Sequence, residues 1–279
     1  PGCLGTDGSD DGGPENQEQE VVDPVGNGTI IEDEILEIAD SEYCDQTNLL
    51  HCMLPFPSGA FLREDSAEIT GYSLDIDGEA IPDTSSAESG NMVILDRLDG
   101  FSPSTQIFTA FEATPNISGM STQFDISPSI GEGHSSILLN MDTGEKVHHW
   151  IELDARAQEG EPTILFLRTI EGLDHDAAYA VAFRNLADSD GNPVAPSDGF
   201  RALRDSINTS SEGIEDQRSD YEALFDHLET AGFERPDLQA AWWFHTASTE
   251  SILEDLLKMR DDAELRLGDS GIGCTITEV

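Results

Sequence analysis

Lysine is almost absent from this chain. Lys146 and Lys258 are the only two in 279 residues, and Lys and Arg together number 13 against 57 Asp and Glu, a formal net charge of −44. A surface so poor in cations excludes nucleic acid as an expected partner, because binding it depends on basic groups that release condensed counterions. Anionic membrane surfaces are excluded for the same reason. Long apolar runs are also missing: no stretch reaches 18 apolar residues, so no membrane-spanning helix is expected. No signal-peptide pattern is present; the sequence opens on Pro1-Gly2-Cys3. Two readings of the acidity compete. One is a protein that works in high salt, where screening falls to ~3 Å at 1 M and relieves self-repulsion. The other is an acidic secreted protein whose tail inflates the count. Carboxylates crowd the expected folded part as well as the tail, which favours the first.

What is present is a β-rich centre between Ser136 and Asp205. Ile137–Asn140, Val147–Leu153, Thr163–Arg168 and Ala177–Asn185 are β-branched, aromatic and apolar runs that suit strands. Asp142-Thr143-Gly144-Glu145 and Asp188-Ser189-Asp190-Gly191-Asn192 suit the turns between them. In Tyr179–Phe183 the larger side chains recur at every second position, which assigns one face to a core. The pattern predicts a mainly β protein built on an immunoglobulin-like β-sandwich.

Residues 1–29 are rich in Asp, Glu, Gly and Gln and too poor in apolar groups to offset chain entropy, so a disordered acidic tether is expected there. Ile31, Ile35 and Ile38 then suit a short helix or a docked extended segment. Residues 30–66 read as an extended clamp. Within it Cys44 and Cys52 flank a turn-rich stretch and are expected to form a disulfide, worth roughly 2–3 kcal/mol by loop closure. Leu54–Leu62, with Pro55 and Pro57, should lie extended along the sandwich, with a polyproline ligand as the rarer alternative. The sandwich is assigned to residues 67–205, including strands near Ile69–Ile76 and Gln106–Phe111. Residues 206–279 read as helix–strand–helix. Tyr221, Leu224, Phe225 and Leu228 repeat at helical spacing before Gly232; Leu238–Thr246 is a buried strand; Ser248 caps a second helix whose stripe runs from Ile252 to Leu267 and stops at Gly268.

Candidate chemistry is sparse. Gly268-Asp269-Ser270-Gly271 matches the tetrapeptide around a chymotrypsin-like nucleophile, but a helix end is the wrong context. Gly133-His134-Ser135-Ser136 begins like a nucleophile elbow, yet Ile137 stands where the last Gly belongs and a strand follows; we read it as a loop with His134 turned to solvent. His148 and Glu152 would share one strand face and lack a third metal ligand, with His149 opposite. Asp188, Asp190 and Asn192 resemble the start of a calcium loop without its distal Glu; a hairpin turn is the plain reading and a bound calcium the alternative. No other cofactor is expected. Trp242, Trp243 and Phe244 suit a core better than a ligand platform.

Gly2-Cys3 followed by an acidic tether resembles the processed start of a bacterial lipoprotein, with a lipid on Cys3 as the only membrane contact; a cysteine without a role is the alternative, and Cys274 is either free or paired with Cys3. Several stretches, taken in order, resemble the N-terminal β-rich region of secreted bacterial lipase-like proteins of the virulence-factor lipase type. They are LPFPSGAFL (54–62), LDGFSPST (98–105), the 136–154 block, YAVAFRNLADSDGNPV (179–194), FRALRD (200–205), WWFHTAS (242–248) and LLKMRDDAELRLGD (256–269). The 179–194 portion is also similar to bacterial immunoglobulin-like modules. The resemblance implies an extracellular, cell-surface or periplasmic bacterial protein, and an α/β-hydrolase domain following the matched region. No catalytic residue carries over, because the matched part lies outside that domain. The expectation is therefore a non-catalytic module that positions, tethers or binds substrate for a downstream or separate hydrolase. The alternative is a self-associating surface or assembly subunit.

Overall fold

A computed structural model of the chain describes residues 21–22, 29–30, 35–39, 41–81, 95, 97–158 and 160–268. It divides into two units, Pro1–Glu34 and Ile35–Val279. In the first, the described residues form a short antiparallel ladder between β1 (Val21–Val22) and β2 (Thr29–Ile30). The rest of the expected tether, Cys3 included, lies outside the described residues, as do Ser270 and Cys274.

The second unit runs β3 (Ile35–Leu36), β4 (Leu62–Glu64), β5 (Tyr72–Leu74), β6 (Ile107–Ala110), β7 (Ser136–Asn140), β8 (His149–Leu153), β9 (Ile164–Thr169) and β10 (Ala178–Arg184). It continues through α1 (Asp198–Arg204), β11 (Asn208–Thr209), α2 (Glu212–Asp216), α3 (Arg218–Thr230), β12 (Leu238–His245) and α4 (Thr249–Leu267). Two three-stranded antiparallel sheets, ordered β12-β10-β7 and β6-β9-β8, form its centre. β4 pairs with β5, and β3 runs parallel to β11. The protein is thus β-rich, with several small sheets and helices.

β10 shows why the layers form. Its large side chains, Tyr179, Val181 and Phe183, join Ile107, Ile151, Leu165 and Leu167 of the second sheet in one core. Between them stand Ala180 and Ala182, which face the second core, made with Phe200, Tyr221, Leu224, Phe225 and Leu228 of α1 and α3. A strand of alternating large and small apolar residues serves a sheet on one face and close-packed helices on the other. Each large side chain so buried contributes roughly 1.5–3 kcal/mol.

The turns follow the expected chemistry. Gly144 adopts φ +73° in the turn after β7, where Asn140 Oδ1 accepts from the amides of Asp142 and Thr143 at 3.0 and 3.1 Å. Val147 N–H then donates to Leu138 C=O at 2.8 Å before β8 crosses to the other sheet. The strand expected at Val147–Leu153 therefore serves both sheets in turn. Cys44 and Cys52 are bonded, with Cα atoms 4.4 Å apart. Phe56 pairs by its main chain with Phe108 and packs against the rings of Phe101 and Phe108, so the proline segment is pinned onto β6 as expected.

Two features depart from expectation. Residues 198–204, counted with the β-rich centre, form α1: Ser197 precedes the first turn, Asp198 lies in it, and Arg201 and Arg204 complement the dipole in the last. Gly199 is needed there, because a Cβ would fall 2.1 Å from Gln46 O. Second, the helix–strand–helix segment is not set apart. β12 hydrogen-bonds along β10, so this strand of the segment completes the sheet begun by β7 and β10.

Candidate functional site

α3 and α4 carry similar apolar stripes and meet different fates. In α3, Tyr221, Leu224, Phe225 and Leu228 are all buried. In the 19 residues of α4 none is buried. Ile252, Leu256, Met259 and Ala263 recur at four, three and four residues on one face, and Leu256 and Met259 stay 59% and 62% exposed. Among the described residues, the bonds that tie α4 to the body lie at its start. Ser248 Oγ accepts from Ser251 N–H at 3.0 Å as the cap. The buried carboxylate of Asp99 accepts from Ser248 N–H at 2.9 Å, and Asp99 N–H donates to Ser251 Oγ at 3.2 Å. Arg97 reaches Asp255 at 3.0 Å across the surface. Past Asp255 the helix presents its stripe uncovered, over roughly 18 Å at 1.5 Å per residue. A contiguous exposed apolar stripe on a well-capped helix is a surface built to be covered.

The serines and histidines assemble differently from the sequence reading. His134 is buried, not turned to solvent: its Nε2 accepts from Ser121 N–H at 3.0 Å, and its Nδ1 lies 3.1 Å from both Ser136 O and Ser136 Oγ. Ser136, not Ser135, meets the imidazoles, with Oγ 2.8 Å from His149 Nε2. His149 Nδ1 lies 2.8 Å from Val147 O, so it donates there and leaves Nε2 to accept from Ser136. The i, i+2 spacing of His134 and Ser136 was the signal for the contact between those two, since it puts both on one side of the chain. A serine hydroxyl on an imidazole is the first requirement of a nucleophile. Here both Ser136 and His149 have no exposed surface, and burial lowers the His149 pKa to about 4. Neither group reaches the surface, and their bond links β7 to β8.

The remaining candidates are occupied by structural roles. Glu152 accepts from Trp150 Nε1 at 2.9 Å and from Arg168 at 2.8 Å, and these bonds hold its carboxyl below the ordinary range. His148 contributes a buried Nδ1 without a partner among the described residues. Asp188 Oδ1 accepts from the amides of Asp190 and Asn192, both at 2.9 Å, and Oδ2 accepts from Asn192 Nδ2 at 3.0 Å. Those bonds, Asn192 first, lower the Asp188 pKa. The carboxylate closes its own turn, in which Gly191 adopts φ +85°. Among the described residues no group of three or more His, Cys, Asp or Glu could hold a metal ion. Trp242 and Phe244 are core, stacked against Phe183 and Tyr179, while Trp243 packs beside Tyr72. Among the described residues no helix is long and apolar enough to cross a membrane. Comparison of the chain with protein-family models, with curated proteins and with solved structures finds no match.

Proposed function

We infer that this chain is a non-catalytic β-rich module, with an immunoglobulin-like sandwich at its centre, whose task is to hold a lipase-like hydrolase in place at or outside a bacterial cell surface. The observation that carries the reading is the uncovered stripe of α4. It is a long, capped helix with no buried residue, and the resemblance of roughly residues 43–279 to the region preceding an α/β-hydrolase domain suggests the partner. The buried Ser136–His149 pair supports the non-catalytic part, since acyl transfer needs an exposed nucleophile and donors for the oxyanion. Export accords with the Cys44–Cys52 bond.

The test is to isolate the protein from its source and follow short-chain p-nitrophenyl ester hydrolysis through purification. Esterase should travel with the chain, covalently or as a complex. Leu256→Asp with Met259→Asp should detach it or lower its activity while leaving the module's melting temperature unchanged. Hydrolysis by the isolated 279-residue chain, or a native preparation without esterase, would overturn the reading. The same stripe also favours a second reading, a self-associating surface subunit. Sedimentation would then show a homo-oligomer that the double substitution returns to monomer.

A further inference from the structure

A cleft of about 500 Å3 opens beside β12, away from α4 and independent of the hydrolase reading. β12 is an outer strand of its sheet. Thr246 N–H donates to Ala177 C=O at 3.0 Å, so the alternation of an antiparallel ladder turns the main-chain groups of Thr246, Phe244, Trp242 and Ala240 toward β10. Those of His245, Trp243 and Ala241 point the other way. Phe101 N–H covers His245 O at 2.9 Å. Among the described residues, nothing pairs with the outward N–H and C=O of Ala241 or Trp243. The cleft reaches Ala240, Ala241 and Trp242, and Ala241 is 3% exposed. A nearly buried strand edge with a free donor and a free acceptor is a template for one more strand.

The far wall of the cleft includes Ala110 and Phe111, at the end of β6, and Asn48, whose Nδ2 already satisfies Ala110 O at 2.9 Å. Both sheets therefore border the cleft. Its charge is one-sided. Glu37, Glu112 and Asp198 line it, all exposed; Asp198 is paired with Arg201 at 3.4 Å, so the cleft's acidic character is carried by Glu37 and Glu112. The chain's own segments outside the described body do not complement that charge, because residues 1–62 and 269–279 contain no Lys or Arg.

We propose that the cleft binds an extended basic peptide of another protein, which pairs with the main chain of β12 at Ala241 and sets a lysine or arginine side chain beside Glu37 and Glu112. Backbone pairing supplies the affinity, and the two glutamates select the sign of the side chain.

The experiment uses the full chain and a fluorescein-labelled peptide of alternating valine and lysine, read by anisotropy at ~0.15 M salt. Three further probes accompany it: the same peptide N-methylated at alternate amides, a valine–glutamate counterpart, and the protein variants. Saturable binding of the basic peptide is expected, with none of the valine–glutamate peptide and at least ~10-fold weaker binding of the N-methylated one. Glu37→Gln with Glu112→Gln should weaken binding ~10-fold, while Asp261→Asn with Asp262→Asn on α4 should leave it unchanged. Ala241→Pro removes the outward N–H without touching the β10 ladder and should abolish binding; if that variant does not fold, the N-methylated peptide decides the same point. Equal binding of the methylated peptide, or equal weakening by the α4 substitutions, would show mere attraction to an acidic surface and overturn the proposal. So would the absence of saturable binding.

Discussion

Asp45 and His149 are both sealed from water, and burial moves them in opposite directions. Burial raises the Asp45 pKa against the bonds from Ser58 and Thr47 that pull it down. Its Oδ1 accepts from Thr47 N–H at 2.9 Å and Thr47 Oγ1 at 2.6 Å, and its Oδ2 accepts from Ser58 Oγ at 2.5 Å. A carboxyl raised on folding gives stability that is full below its ordinary pKa and is lost as pH rises through the folded value. Asp45→Asn keeps the Thr47 bonds and removes the buried charge. It should melt within about 1 kcal/mol of the parent at pH 7, whereas Asp45→Ala, which strands three donors, should cost about 3 kcal/mol. His149 runs the other way. Its pKa falls from 6.5 to about 4, so its share of stability is full above pH 6.5 and is lost as pH falls toward 4. That share is roughly 3 kcal/mol. Urea titrations between pH 7 and 4 should show the loss, and His149→Gln should flatten it. A parent protein equally stable at pH 7 and 4.5 would contradict the assignment.

At the scale of elements, α3 and α4 were both legible, and for the same reason: apolar residues at three- and four-residue spacing, with Gly232 and Gly268 at their ends and Ser248 as a cap. Their burial was not legible, because an apolar stripe states that a face wants covering and not what covers it. Leu224→Ala in α3 should cost about 2–5 kcal/mol in chemical denaturation. Leu256→Asp in α4 should cost less than about 0.5 kcal/mol, since that side chain already stands in water. Equal losses would mean that α4 packs onto the body. The strands around Tyr179–Phe183 were readable from β-branched content and turn residues. α1 was not. Phe200, Ala202 and Leu203 alternate too briefly to separate helix from strand, and what fixes the helix is Gly199 against Gln46, a contact between residues far apart in sequence. The Ser136–His149 bond was hidden likewise, since two neighbouring strands had to be placed before their side chains could meet.

On the scale of the whole molecule, charge dominates. Against 57 acidic residues, the ion pairs among the described residues use arginine or histidine, and most join partly or fully exposed groups. Mutual repulsion is therefore left to the solvent to screen. The melting temperature should rise between ~0.05 and ~2 M NaCl, and a flat profile would remove the high-salt reading of the acidity. The layering of two sheets and a helical face was only half readable: alternation in β10 announced one core, while the small residues facing the helices looked merely permissive. β10 is hydrogen-bonded along both edges and covered on both faces, with Ala180, Val181 and Ala182 at 0% exposure. Nothing local can open it. Its amide protons should trade with deuterium only when the entire body comes apart, and the exchange rate of Val181 should report the global unfolding free energy, while amides late in α4 exchange within the first moments.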